Sequence, residues 1–196
     1  MSNQQPKQRE KTRVELVDHP SREDLQALWG IVKDDPTTYG NFTDRFPTTW
    51  KDFYRMLSGP HSYCWLAVER GEMVGANWLH DWGNWGTPDS AWMACYRVPH
   101  ARGAYGFVSA ARLVHTAAKQ LGVHHLFCAS RHTNKLAYRM SDRLGYYRVA
   151  LFPKWAYFEG ELDDVWVYSL RPDDHTMLLV QALMRSASQV QLQEVG

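Results

Sequence analysis

The sequence predicts one main domain of the α/β (α+β) class. Three observations carry that reading. Apolar spacing switches repeatedly between the alternation of strands and the three-to-four-residue spacing of helices. The segments fall in the order β-α-α-β-β-β-α-β-α-β-β, followed by a tail. No internal repeat or linker divides the chain, and its 196 residues suffice for a sizeable core.

The elements follow in order. TRVELVDH, from Thr12, alternates like a strand. In SREDLQALWGIVKD, Ser21 can cap a helix whose Leu25, Leu28, Trp29 and Val32 form a stripe. PTTYGNFTDRFP is a loop bounded by prolines. TTWKDFYRMLSG reads as a second helix, capped by Thr49 and closed by Gly59. SYCWLAVER and MVGANWLHDW are strands joined by a short Gly71-Glu72 turn, and DSAWMACYRV is the next strand. FVSAARLVHTAAKQLG is an Ala-rich helix ending at Gly122, and VHHLFCAS is a strand. TNKLAYRMSDRLG is a helix that Thr133 can cap and Gly145 can stop. YYRVALFPKWAYF and DDVWVYSL are long strands around an EGE turn. Residues 1–11 read as a disordered arm, 12–172 as the domain, and 173–196 as a tail or short helix with an apolar patch.

Composition narrows the function classes. Charged residues make up 22% and the formal net charge is +1, so total charge gives no nucleic-acid or membrane footprint. No apolar run approaches the roughly 20 residues that span a bilayer. The polar start MSNQQPKQREK lacks the apolar core of a secretory signal, which points to a cytoplasmic protein. Cys64, Cys95 and Cys128 are scattered in apolar segments, as expected of buried thiols rather than of a disulfide framework or zinc site. His124-His125 has no partner at metal-ligand spacing, so no metal is expected. Five of nine tryptophans (Trp65, Trp78, Trp82, Trp85, Trp92) fall in one stretch. They pack as core aromatics, or Trp82 and Trp85 form a binding surface.

RVPHARGAYGF, residues 97–107, carries the chemistry. A strand that ends in a Gly-containing turn and feeds a helix aims several backbone N–H groups at one point, where the helix dipole adds positive potential. That suits a pyrophosphate. Arg102 can add a bidentate donor pair, and Gly103 and Gly106 permit close approach of a ligand. Such a turn also serves merely to connect a strand to a helix.

This turn, in this element order, resembles the GCN5-related N-acetyltransferase (GNAT) superfamily. That superfamily typically shows V-x-P-x-x-R-G-x-G-x-G/A after its fourth strand. Here the match is Val98-Pro99-His100-Ala101-Arg102-Gly103-Ala104-Tyr105-Gly106-Phe107, with the helix ending at Gly122-Val123. A second family pattern, N-x-x-A-x-x-x-Y-x-x-x-G-F/Y, matches at Asn134, Ala137, Gly145 and Tyr146. The resemblance covers roughly residues 12 to 170. It implies a GNAT-like fold: a central mixed, mostly antiparallel sheet of about seven strands, flanked by about four helices, with strands four and five splayed.

The resemblance also implies an acyl-CoA cofactor, expected to be acetyl-CoA, and an amine acceptor. By position, the N–H groups of Arg102, Gly103, Ala104, Tyr105, Gly106 and Phe107 would take the pyrophosphate. The backbone of Tyr96 and Val98 would pair with the pantetheine arm, and Asn134 would sit near the cofactor. Tyr105 and Phe107 stand where the family keeps glycines, so Tyr105 must avoid positive φ. Ser141 stands where the family often has a tyrosine that protonates the departing thiolate. Tyr138, one turn earlier, is the substitute or simply a packed aromatic.

Amine attack on a thioester needs a proton acceptor. His80, Asp81, Asp89 and His132 are the candidates, with Asp81 and His132 preferred. The loop bearing Tyr39, Phe42, Asp44 and Arg45 would face a cationic or aromatic acceptor, or is an ordinary surface loop. Three functions stay open: an N-acyltransferase for a small-molecule or protein amine, a catalytically degenerate GNAT-like binding protein, and an acyltransferase for nucleic acid. The last draws on a stripe of Arg131, Lys135, Arg139 and Arg143, which also fits a solvated helix face. Either a monomer or a homodimer is compatible with the sequence.

Overall fold

The computed structural model describes residues 14–35, 47–69, 71–81, 89–101, 104–158 and 160–189. Its elements are β1 (Val14–Asp18), α1 (Arg22–Val32), α2 (Trp50–Ser58), β2 (Tyr63–Glu69), β3 (Glu72–His80), β4 (Ser90–Arg97), α3 (Ala104–Gln120), β5 (His125–Arg131), α4 (Lys135–Arg143), β6 (Tyr147–Phe158), β7 (Glu161–Leu170) and α5 (Asp174–Gln189). A 3-10 turn, Pro99–Ala101, links β4 to α3.

Local chemistry sets the helix ends. Ser21 Oγ accepts from the Asp24 N–H at 3.1 Å while Asp24 accepts from the Ser21 N–H at 3.0 Å, a reciprocal cap that starts α1. Thr49 caps α2, its hydroxyl oxygen accepting from the Asp52 N–H at 3.2 Å. The cap of α4 is Asn134, not Thr133: Asn134 Oδ1 accepts from the Ala137 N–H at 3.1 Å. Thr133 is diverted because its hydroxyl and its N–H both donate to Asp163 Oδ2. Gly145 stops α4 at a φ of 86°, which a side chain would resist.

The strands form one seven-stranded sheet in the order β1-β2-β3-β4-β5-β7-β6. Every neighbouring pair is antiparallel except β4 and β5. Each face buries its own core. One packs Leu25, Leu28, Phe53, Leu66, Trp78 and Tyr96 beneath α1 and α2. The other packs Leu113, Val114, Leu126, Leu144 and Tyr168 beneath α3 and α4. The tail contributes to the second core: α5 is a 16-residue helix whose Met177 and Val180 are buried. Among the described residues there are thus five α-helices, where about four were expected.

Candidate active site

The site begins where the parallel pair β4 and β5 comes apart. β4 and β5 are in register at Ser90–His125, Ala91–Leu126 and Trp92–Phe127, and separate after that. The gap opens toward the C-terminal ends of both strands. Chain direction then fixes what borders it: α3 and α4 both begin at that open end, because each follows one of the two strands. β3 runs antiparallel to β4, so its last residue, His80, pairs with Trp92 at the closed end.

A cavity of about 950 Å³ occupies the gap. Met93 and Cys95 of β4, Cys128 and Ser130 of β5, and Asn134, Ala137, Met140 and Ser141 of α4 line one side. Asp52, Arg55 and Met56 of α2, Trp78 and His80 of β3, and Ala94, Phe127 and Val167 line the other. Members of both cores take part, so the cavity passes through the sheet and joins its two faces. Pairing in β6 slips between Phe152 and Ala156, and Phe152 and Trp155, with ring centroids 5.3 Å apart, form an outer wall.

The middle of the gap is neutral and its side chains are small. Ser141 is buried, with its hydroxyl 3.7 Å from Cys128 Sγ. Burial pushes the Cys128 thiol up to about 12, against a weaker lowering by the Ser141 hydrogen bond, so it stays protonated at neutral pH. Apart from the thiols, the ionisable groups lie at the rim. His80 Nδ1 is 2.9 Å from Asp81 Oδ2, and both residues line the cavity. Asp81 holds this contact from a left-handed backbone, φ 54°.

Sequence-predicted residues fare differently. Asp81, His80, Ser141 and Asn134 meet at the cavity. His132 is not among the described lining residues: its N–H donates to the Asp164 carbonyl at 2.8 Å and its Nδ1 accepts from Trp166 Nε1 at 3.1 Å. Tyr138 is not among the described lining residues; the Arg148 guanidinium lies 4.3 Å from its ring centroid. Asp89 lies at the closed end, its carbonyl accepting from the N–H groups of His124 and His125.

Tyr96 and Val98 require a correction. The Val98 N–H donates to the Val74 carbonyl at 3.1 Å, so this residue pairs with β3. In an antiparallel pair the backbone groups of alternate residues point the same way. Tyr96 therefore also faces β3, and its hydroxyl is buried against Asp35 at 2.9 Å. The Asp89 carbonyl faces β5, which gives the opposite parity: Met93, Cys95 and Arg97 present their backbone to the gap.

The Gly-containing stretch resolves into helix. α3 starts at Ala104, three residues before the predicted start, so Ala104, Tyr105, Gly106 and Phe107 form its first turn. Their N–H groups are the ones a helix leaves without an internal partner. Tyr105 and Phe107 are helical, so no positive φ is asked of them. Arg102, Gly103, Tyr39, Phe42, Asp44, Arg45, Trp82 and Trp85 lie outside the described residues.

Sequence reading missed two features. Arg97 is buried and donates to the Tyr96 carbonyl at 2.6 Å and to Asn77 Oδ1 at 3.1 Å, while Ser109 of α3 lies 3.5 Å from the same Asn77 oxygen. This network ties the start of α3 to the sheet. The second is a row of rings, His80, Trp92 and Phe127, at paired positions on three adjacent strands. Strand parity could have found that row once the register was known. The basic stripe loses a member, because Arg131 is buried with its guanidinium 3.4 Å from the Phe158 ring centroid. Among the described residues no cluster suits a metal ion, and no helix is long and apolar enough to cross a membrane.

No protein-family model matches the chain, and no curated protein matches it by sequence. Solved structures do match. A spermidine N-acetyltransferase from Vibrio cholerae, solved with CoA and spermine, is 11% identical with a TM-score of 0.70, over 86% of this chain and 98% of that one. A provisionally assigned phosphinothricin N-acetyltransferase is 18% identical with a TM-score of 0.69, over 83% of this chain and 99% of that one. A probable acetyltransferase is 17% identical with a TM-score of 0.63, over 83% and 93%.

Proposed function

From the premise that this chain has the GNAT fold, we propose that it is an acyl-CoA-dependent N-acyltransferase that moves an acetyl group to a primary amine. The observation that carries this reading is the continuous cavity between β4 and β5, lined by residues from both faces of the sheet. Transfer between two substrates needs them held on converging paths. Here one path enters from the α3–α4 side and the other from the α2 side.

The residues present fit an acyl-CoA. The first-turn N–H groups of α3, from Ala104 to Phe107, with Arg102 and Gly103 just before them, would hold the pyrophosphate at the open end. The backbone of Arg97, Cys95 and Met93, on the gap side of β4, would pair with the amide-bearing arm as a partial strand. Four residues at strand rise cover about 13 Å, which carries the arm from the helix start toward the closed end. Asn134 and Ser141 would flank it from α4. When bound, the cofactor supplies a thioester activated for acyl transfer.

His80 and Asp81 would serve the acceptor. With Nδ1 held by Asp81, Nε2 of neutral His80 is left to accept the amine proton, directly or through one water. Asp81 is then the positioning residue and His80 the base. The amine nitrogen attacks the thioester carbonyl, the C–S bond breaks, and the sulfur leaves as thiolate. Ser141 can donate a hydrogen bond to that sulfur, but its hydroxyl is a poor acid, so solvent would supply the proton.

The test is a thermal shift with acetyl-CoA followed by thiol-release assays. Binding to the native state stabilises by about 2.7 kcal/mol at a hundredfold excess over Kd. A shift that Arg102→Glu abolishes and His80→Gln retains, with His80→Gln losing turnover, supports the assignment. Absence of any shift with acetyl-CoA overturns it and leaves the non-catalytic binding protein as the better reading.

A further inference from the structure

We propose that the acceptor is a primary amine carried on an aromatic body, and that Trp92 and Phe127 form the surface on which that body lies. This rests on the acyltransferase reading above and names its second substrate.

The argument starts from register. His80 pairs with Trp92, and Trp92 pairs with Phe127, so the three side chains stand in one row on one face of the sheet. The rings are in contact along that row. His80 and Trp92 are stacked with centroids 6.4 Å apart, and Trp92 and Phe127 lie 5.6 Å apart. The row crosses the sheet at the last paired position before β4 and β5 separate. An aromatic body set against Trp92 and Phe127 therefore brings a short amine-bearing chain to His80 and to the gap together. Offset and edge-to-face ring contacts favour such a body over a flexible aliphatic one.

Charge argues against the main alternative. A long polycation needs carboxylates spaced along its path to replace the water around each ammonium group. Among the described lining residues the carboxylates are Asp52 and Asp81. Asp81 is engaged by His80, Asp52 accepts from the Thr49 hydroxyl at 2.7 Å, and Arg55 adds positive charge beside Asp52. Among the described residues, this rim can receive one ammonium. These residues serve a chain of three poorly.

The experiment compares 2-phenylethylamine, n-butylamine and spermidine as acceptors for the full-length protein, by thiol release from acetyl-CoA, with the acetyl-CoA thermal shift measured in parallel. The expected result is a kcat/KM for 2-phenylethylamine at least about tenfold above either other amine. Phe127→Leu should raise KM for 2-phenylethylamine about tenfold with the acetyl-CoA shift unchanged, and Phe127→Tyr, which keeps the ring, should stay close to the wild type. Equal or better use of spermidine or butylamine overturns the acceptor assignment and leaves the transferase standing. So does a normal acetyl-CoA shift with no turnover of 2-phenylethylamine. Loss of both the shift and all turnover overturns the transferase reading, and this inference with it.

Discussion

Replacing Asp81 separates a positioning role from a structural one. Asp81 does two things at once: it holds His80 Nδ1 at 2.9 Å, and it does so from a φ of 54°. A hydrogen bond to a charged partner contributes about 1.5–3 kcal/mol. The Asp81 side chain is 47% exposed and that of His80 26%, so solvent screening favours the low end. That low end corresponds to roughly a tenfold to thirtyfold loss of kcat when the carboxylate is removed. The backbone works in the opposite direction. A left-handed residue with a side chain costs about 1 kcal/mol, which Asn tolerates and Gly avoids, though Gly adds flexibility to the unfolded chain. Asp81→Asn keeps an oxygen that can accept from His80 Nδ1–H but loses the charge, so it should lose about tenfold to thirtyfold in kcat with a urea midpoint close to the wild type. Asp81→Gly should lose at least as much activity and, because the lost bond and added chain freedom outweigh the relieved strain, about 1 kcal/mol of stability. Activity would be followed by thiol release at saturating acetyl-CoA. An Asp81→Asn variant with full kcat would refute the assignment of His80 as a base positioned by Asp81.

Three further outcomes follow from the same structure. A Cβ on Gly75 would sit 2.2 Å from the Tyr96 carbonyl oxygen, so Gly75→Ala should cost about 1–3 kcal/mol in urea unfolding by forcing β3 off β4. Burial pushes the Cys64 and Cys128 thiols up to about 12, so only about one in ten thousand is thiolate at pH 8; iodoacetamide should leave both unmodified in the native protein and label both in urea, as read by peptide mass. Asp173 accepts from the Thr176 N–H at 2.8 Å, and that backbone hydrogen bond lowers its carboxyl from the usual value. Its stabilisation is present above the unfolded carboxyl range and is lost as pH falls through the lower folded value, so Asp173→Ala should melt earlier at pH 7 and approach the wild type under acid conditions.

Local chemistry was legible in the sequence, and parity between strands was not. Ser21 and Thr49 cap their helices as their spacing suggests, because a cap depends on residues within one turn. Thr133 misled for the opposite reason. Its competitor for hydrogen bonding, Asp163, is thirty residues away on β7, and only the folded sheet brings them together. The tail shows the same limit: the patch near Met177 marks an apolar face, but its length as a helix follows from burial against the second core. The start of α3 was placed late because Gly103 and Gly106 read as a loop. Yet a helix accepts Gly106 at modest cost, and the first turn is where its own N–H groups remain open.

Parity also decides what the candidate site can be. Had Tyr96 and Val98 faced the gap, a ligand arm on β4 would lie beside a large ring and a branched side chain. With the parity the structure shows, the backbone that faces the gap belongs to Met93, Cys95 and Arg97, while Tyr96 is fixed against Asp35. Side chains alternate independently of that edge, so Trp92 and Ala94 point to the α2 side and Met93 and Cys95 to the α4 side. One strand thus offers hydrogen-bonding groups in the plane of the sheet, a ring toward one substrate path and small neutral groups toward the other. A one-residue slip of β4 against β3 would exchange all three at once. The close approach at Gly75, where nothing larger fits beneath the Tyr96 carbonyl, opposes that slip. The glycine that holds two strands together is therefore also a residue on which the proposed division between donor and acceptor depends.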